Sequence, residues 1–336
     1  MKAALERWLL RRWYGGVAPG PGLRALAAIY GGAMALRGAL YRRGMLRRHR
    51  LPVPVLVVGN LVAGGAGKTP LVIALAQALA RRGWRPGIVS RGHGRASRAP
   101  TWARPDSDPA ECGDEPLLIA RHTGLPVAVD RDRVAAARRL VDAGCTLVIA
   151  DDGLQHLRLA RDLEIEVRDG ERGLGNRRLL PAGPLREAAG RAVDFRVING
   201  GPAAPGEWRM DLCLGDAVPL GAGEPRPVGL FAPGPVHAVA GIGHPERFFA
   251  ALRAAGLQVD GHAFPDHHAY AAEDFAFAPE APVLMTEKDA VKCGDLGLRS
   301  AWFVPARAEL PEALVEAVLA RLEPHRPPSP APLEPS

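Results

Sequence analysis

Lysine is scarce in this chain: of 43 basic residues only Lys2, Lys68, Lys288 and Lys292 are lysine. Arginine fills the generic positive positions, so each retained lysine is a candidate for a place that needs a compact ammonium instead of a planar guanidinium. Aromatic residues are also few, at 5% of 336. With ordinary apolar content, that fits a soluble α/β enzyme better than a β-sandwich or a fibrous protein. The four cysteines, Cys112, Cys145, Cys213 and Cys293, lie far apart and form no CxxC pair. Neither a zinc site nor a disulfide framework is indicated, and a reducing cytoplasm is the default. Long hydrophobic runs are missing too. Only twelve uncharged residues lie between Arg24 and Arg37, whereas a membrane-spanning helix needs about 20 apolar residues. No small-residue cleavage pattern follows an apolar stretch, so no secretory signal is indicated. No internal repeat is present.

Positive charge is concentrated at one end. Residues 1–50 hold eleven Lys or Arg and one acid, Glu6, a net +10; residues 51–336 hold 32 basic and 35 acidic residues, a net −3. The arm therefore calls for an anionic partner, and the body does not. Trp8, Trp13, Leu26, Ile29, Tyr30, Leu36 and Tyr41 supply apolar and interfacial groups among the arginines, the composition of a helix lying in a membrane interface. The plainer alternative is a helical hairpin packed on the body. No nucleic-acid-binding motif accompanies the charge, and no obligate protein partner is evident.

The body opens on VPVLVVGN (53–60), a continuous β-branched run of the kind found in buried parallel strands. A glycine loop and the amphipathic helix TPLVIALAQALARRG follow, ending at Gly83. Strands and helices then alternate through RPGIVS, DRVAAARRLVDAG, CTLVIADDG, IEVRD and FRVING, which implies a parallel sheet with right-handed crossovers. Residues 201–228 are rich in Gly, Pro and Ala and read as a linker. A second α/β unit, 229–323, contains VHAVAGI, PERFFAALRAAG, LQVDGHAF, APVLMTE, AWFVPA and ELPEALVEAVLARLE. The proline-rich tail, 324–336, reads as disordered. The expected organisation is thus a basic amphipathic arm over 1–50, a P-loop NTPase-like domain over 51–200, the linker, and a smaller α/β domain.

The strongest chemical signal is Val62-Ala63-Gly64-Gly65-Ala66-Gly67-Lys68-Thr69, between a strand and a helix. In such a P-loop, glycines let backbone N–H groups curl around phosphate oxygens, and the helix N-terminus adds a favourable partial charge. Lys68 would reach the β- and γ-phosphates of ATP, and the Thr69 hydroxyl would bind Mg²⁺. The GxxxxGK[ST] pattern wants glycine at 62, where this chain has valine. Asp151-Asp152 ends the strand LVIA, where Walker-B acids hold Mg²⁺ directly or through water; alternatively the two acids cap the next segment. Translation-type GTPase motifs are not met: Asp151 and Asp152 stand too close to Gly153 for DxxG, and Thr286-Glu287-Lys288-Asp289 has the wrong spacing for NKxD. Partition-type ATPases carry Lys just before GG, where Ala63 stands. A small-molecule kinase fits best.

Ten blocks then occur in order: VVGNLVAGGAGKTP, SRGHGR (90–95), GDEP (113–116), DRVAAA, ADDGLQH (150–156), DLEIEV, LLPAGPLRE (179–187), GIGHPERFF (241–249), FPDHHAY (264–270) and TEKDAVK (286–292). Together, over about residues 40–305, they resemble the tetraacyldisaccharide 4′-kinase family of lipid A biosynthesis. The resemblance implies transfer of the γ-phosphate of ATP to the 4′-hydroxyl of a glycolipid precursor, at the cytoplasmic face of the bacterial inner membrane. It implies a catalytic pair at Asp114 and His267, in which a carboxylate accepts the sugar hydroxyl proton and a histidine orients or tunes it. It also implies that Glu187 lies near the metal and nucleotide, that Gln155 and His156 orient substrate or phosphate, and that Arg91 and Arg95 meet anionic groups. His93 stands where the family usually has tyrosine. From the residues alone, Asp114 could equally cap the helix EPLLIA, and His267 could be an exposed loop histidine. The same P-loop and arm also suit a membrane-associated ATPase or a nucleotide-sensing module; dependence of ATP turnover on the glycolipid separates these.

Overall fold

The uninterrupted apolar run at 55–59 is buried on both faces, as a central parallel strand requires. In the computed structural model, which describes residues 2–277, 281–294, 296–298 and 300–326, this strand is β1 (Val55–Gly59). It follows two arm helices, α1 (Lys2–Tyr14) and α2 (Pro21–Arg42). The chain continues through α3 (Lys68–Arg81), β2 (Pro86–Ser90), β3 (Thr101–Ala103), α4 (Pro109–Cys112), α5 (Asp114–Thr123), β4 (Val127–Val129), α6 (Arg133–Asp142), β5 (Leu147–Asp151), β6 (Leu163–Asp169) and β7 (Phe195–Asn199). Then come β8 (Trp208–Leu214), β9 (Val218–Pro219), β10 (Pro235–Ala240), α7 (Pro245–Ala254), β11 (Gln258–Ala263), β12 (Val283–Thr286), α8 (Glu287–Ala290), β13 (Ala301–Val304), β14 (Ala306–Glu309) and α9 (Glu312–Leu322).

A nine-stranded sheet runs in the order β14-β8-β7-β6-β1-β5-β2-β4-β3, parallel except for the outermost pair at each edge. One face packs Leu56 and Val58 against α3, α5 and α9; the other packs Val55, Val57 and Val148 against α6 and the segment around Leu185. A second sheet, β11-β10-β12-β13-β9, is parallel apart from β9 and is likewise covered on both faces. The expected α/β architecture is therefore present.

The unit boundaries differ from the expectation. The stretch read as a linker over 201–228 contains β8, which pairs with β7 and extends the large sheet. Its alternation Trp208, Met210, Leu212, Leu214 is strand-like, and Met210 is fully buried; the glycines and prolines that suggested a linker lie on either side of it. The second unit also ends earlier than 323. Strand β14 pairs antiparallel with β8, and Leu314, Val318 and Leu322 of α9 pack into the core beside α3. The apolar periodicity of α9 fixed its helical form but not which sheet it would cover. Of the tail over 324–336, residues 327–336 lie outside the described residues.

Helix α2 does not lie free of the body. Tyr30 donates to the carbonyl of Arg186 at 2.7 Å, Arg37 donates to that of Gln155 at 2.9 Å, and Tyr41 is buried. Its opposite face leaves Leu26, Ile29 and Leu36 exposed by 54%, 71% and 62%. No described helix is long and apolar enough to cross a membrane.

Candidate active site

Strand β1 delivers the chain to the glycine loop, and Gly67 ends that loop at φ +90°, a left-handed conformation that glycine adopts without strain. A Cβ at Gly67 would collide with the Asn199 amide, which donates to the Ala66 carbonyl at 3.0 Å. Asn60 holds the other side of the loop, donating to the Gly64 carbonyl at 3.1 Å. Lys68 opens α3, with its Nζ 3.4 Å from Asn60 Oδ1 and 3.7 Å from Asp152 Oδ1.

Valine at 62 has a structural reason. Val62 forms a bridge with Leu185 and is buried, while the Ala63 N–H donates to the Pro184 carbonyl at 2.8 Å. These two residues anchor the loop to the body. The cleft itself, about 960 Å³, is lined by Gly64, Gly65, Ala66, Gly67, Lys68 and Thr69. Val62 and Ala63 are not among the residues that line the cleft, and the Ala63 N–H is already bonded.

The two acids at the end of β5 differ sharply. Asp151 is 1% exposed, and its Oδ1 has no hydrogen-bond partner among the described residues. Burial, reinforced by Glu115 and Asp152, pushes its carboxyl up to about 7. Asp152 sits at φ +49° and takes Arg186 Nη1 on both oxygens, at 2.8 and 2.9 Å. Burial alone would raise its pKa, but Lys68 and Arg186 outweigh burial and hold it well below the usual carboxylate range. An orphaned buried carboxylate oxygen beside a P-loop suits a hard cation, for which carboxylate and hydroxyl oxygens are the natural donors. Glu187 is held by two side-chain donors. One of its oxygens accepts from Gln155 at 2.7 Å and the other from Arg191 at 2.8 Å, which fixes the carboxylate and leaves each oxygen a further lone pair.

Across the cleft, Asp114 and His267 meet: Nδ1 of the histidine lies 3.3 Å from Oδ2 of the aspartate. The N-cap of α5 is Gly113, so Asp114 is not the capping residue. His267 lines the cleft, in an unusual backbone conformation at φ +60°, and its ring packs 4.7 Å from that of His93. Beside them a charge network joins three of the ordered blocks, and Glu115, Asp266 and Lys288 also line the cleft. Lys288 reaches Glu115 at 3.0 Å and Asp266 at 3.1 Å. Burial opposes its charge, yet the two carboxylates more than compensate and raise its pKa. Lys292 bonds Asp289 at 3.1 Å and stands 3.9 Å from Asp114. Two signals pointed to these positions, the scarcity of lysine and the block TEKDAVK.

The other residues of the ordered blocks divide. Thr286, Glu287 and Lys288 line the cleft, with Glu287 2.7 Å from His122. Gln155 bonds Glu187 and the Asn60 carbonyl, linking the β5 end to the loop. Burial and neighbouring arginines lower the His156 pKa to about 4. Arg95 turns back to carbonyls of its own loop, and Arg91 is exposed. Arg186, Asn60 and Asn199 were not singled out from sequence; Arg186 immediately precedes Glu187 in a block that was.

The two units touch where Gly243, before α7, packs on Gly65 so closely that a Cβ on Gly243 would strike the Gly65 nitrogen. Arg172 donates to the Gly243 carbonyl at 2.6 Å.

Comparison with known proteins places this geometry in context. Residues 21–323 match the family model described as tetraacyldisaccharide-1-P 4′-kinase. Among curated proteins, the chain is 57% identical over 314 residues to the tetraacyldisaccharide 4′-kinase of Xanthomonas euvesicatoria, covering 89% of this chain and 91% of that one. It is 52% identical over 327 residues to that of Stenotrophomonas maltophilia, covering 94% and 96%. Among solved structures, it resembles the "apo" form of LpxK from Aquifex aeolicus in complex with ATP, with a TM-score of 0.72 and 29% identity over 89% of this chain and 98% of that one.

Proposed function

Because the chain belongs to the tetraacyldisaccharide-1-P 4′-kinase family, we propose that it transfers the γ-phosphate of ATP to the 4′-hydroxyl of a tetraacyldisaccharide 1-phosphate, a precursor of lipid A. One observation carries the mechanism: Lys68 of the P-loop and His267, which contacts Asp114, line the same cleft. ATP enters with its phosphates on the N–H groups of residues 64–69. Lys68 balances the charge that builds on the transferring group, where catalysis of phosphoryl transfer is mostly electrostatic. The sugar hydroxyl approaches from the His267 side. Its oxygen forms the new P–O bond as the bond to the β-phosphate oxygen breaks, and the pair takes up its proton. His267 stands at the cleft surface with Asp114 one contact behind, which supports the two acting as a unit.

Thr69, Asp151 and Asp152 are the residues that would hold Mg²⁺, which supplies further charge neutralisation on the phosphates. Glu187 belongs to the same reading as a nearby acid, tied through Gln155 to the loop. The arm is the membrane element. Its eleven positive charges and the exposed Leu26, Ile29 and Leu36 suit an anionic bilayer surface. Leu5 and Leu9 of α1 also line the cleft, so acyl chains can enter from the arm side. The enzyme then works on the cytoplasmic face of the inner membrane. The decisive experiment incubates purified protein with ATP, Mg²⁺ and the disaccharide 1-phosphate lipid. The lipid should gain one phosphate by mass spectrometry. ATP hydrolysis at the same rate without lipid would mark an ATPase instead.

A further inference from the structure

The second sheet carries a cluster that the phosphotransfer chemistry does not use. Strands β10 and β11 run parallel, with His237 opposite Asp260 and His262 two residues further along the same face of β11. The three side chains converge. His237 Nδ1 is 3.0 Å from His262 Nε2 and 3.3 Å from Asp260 Oδ2, and His262 Nε2 is 3.5 Å from that same oxygen. None of the three lines the cleft.

Hydrogen bonding alone accounts poorly for this triangle. One proton can bridge His237 Nδ1 and His262 Nε2, but the third atom, the acceptor Asp260 Oδ2, then lies 3.3 and 3.5 Å from the two nitrogens with no proton of its own to share. A cation accounts for it directly. A tetrahedral zinc ion with bonds of about 2.0–2.1 Å to nitrogen and oxygen sets its ligand atoms about 3.3 Å apart, the size of this triangle. The surroundings agree. The Phe277 ring stacks on His262 at 3.6 Å and 6°, and lies 4.9 Å from the His237 ring, fixing both imidazoles from one side. Asp260 is open to solvent, leaving access for the ion and for a fourth ligand. Among the described residues no Lys or Arg forms an ion pair with Asp260.

We propose that His237, Asp260 and His262 form a site for a single divalent transition ion of the zinc class, with water as the fourth ligand, that pins edge strand β11 to β10. Imidazole and carboxylate donors select such an ion over Mg²⁺, which prefers an all-oxygen shell. A second His–carboxylate cluster, Asp169, Glu171 and His244, shows the contrast. There Asp169 Oδ1 accepts the N–H groups of Glu171 and Arg172, and Arg247 stands 3.7 Å from its other oxygen, so a guanidinium already supplies the positive charge.

The test uses tag-free, full-length protein stripped with chelator and titrated with Co²⁺ as a spectroscopic probe, then with Zn²⁺. The wild type should show one equivalent of intense tetrahedral d–d absorption, abolished when Zn²⁺ displaces the Co²⁺. His262→Gln should weaken binding by more than about 100-fold, since even groups one shell further out are worth about 10–100-fold in metal affinity. Asp260→Asn, an exposed change that leaves the fold intact, should weaken binding and lose the rise in Tm that Zn²⁺ gives the wild type. His244→Gln should keep the full signal. No intense band in the wild type, or a band that persists in both His262→Gln and Asp260→Asn, would overturn the assignment.

Discussion

His267 Nδ1 stands 3.3 Å from Asp114 Oδ2, although 153 positions separate the two residues in the chain. The aspartate begins α5 of the large unit, and the histidine belongs to the small one. Their contact spans the boundary between the two sheets. If the pair accepts the hydroxyl proton as a unit, single changes should be non-additive. Asp114→Ala and His267→Ala should each lower kcat by about 10²–10⁴-fold, the usual worth of a positioned base. The double variant should cost little more than the worse single one. A double-mutant cycle on kcat, with lipid saturating, reads this; fully additive losses would assign the residues separate roles.

Lys68→Ala should lower kcat by at least about 10³-fold, the scale of a cation acting on a transferring phosphoryl group. Circular dichroism should stay unchanged, because Lys68 contacts Asn60 and Asp152 at the cleft and packs no core. Near-normal kcat would remove the loop from the chemistry.

Asp151 gives a pH signature. An aspartate free of its surroundings ionises near 3.8, whereas burial lifts this one to about 7. The folded state therefore binds the proton more tightly than the unfolded state. Its contribution to stability is full below about pH 4 and is lost as pH rises to about 7. In Mg²⁺-free buffer, Tm of the wild type relative to Asp151→Asn should fall between pH 4 and pH 7 and then level off. Magnesium competes with that proton, so Mg²⁺ affinity measured by calorimetry should rise over the same window. A pH-independent Tm difference would place the ionisation of Asp151 elsewhere.

The arm can be tested without removing it. Deleting residues 1–45 would also strip Tyr30 and Arg37 from the Arg186 and Gln155 carbonyls, disturbing the site itself. Changing Leu26, Ile29 and Leu36 to Gln touches only the exposed face. Burying one such side chain fully is worth about 1.5–3 kcal/mol, so even partial insertion of three predicts a loss of vesicle partition beyond about tenfold. The remaining binding should be salt-sensitive, because each arginine near an anionic surface contributes about 1 kcal/mol. ATP affinity should not move. Undiminished sedimentation with anionic vesicles would rule out this face as the anchor.

Val62→Gly restores the glycine of the common P-loop pattern and should nevertheless harm the protein. It removes a buried side chain worth about 1.5–3 kcal/mol and adds backbone entropy of about 0.5–1 kcal/mol. A lower Tm with no gain in KM for ATP is expected. A tighter KM would mean that residue 62 contributes to the phosphate cradle after all.

Local chemistry made much of this legible in the sequence. A β-branched run followed by glycines and GKT sets a strand, a loop and a helix N-terminus by short-range sterics, and the alternation of strands and helices then dictates a parallel sheet. The ordered blocks identified the family. Long-range packing decided the rest. That β8 and α9 belong to the large sheet, that Val62 is held by Leu185, that Asp152 is neutralised by Arg186 and that Glu187 is held by Gln155 and Arg191 all depend on residues distant in sequence. The meeting of His237, Asp260 and His262 is of the same kind, since only the register of β10 against β11 puts three separated side chains on one point. Patterning along a chain fixes which face of an element is apolar; which partner covers that face, and which charges then meet, is settled only when the elements pack together.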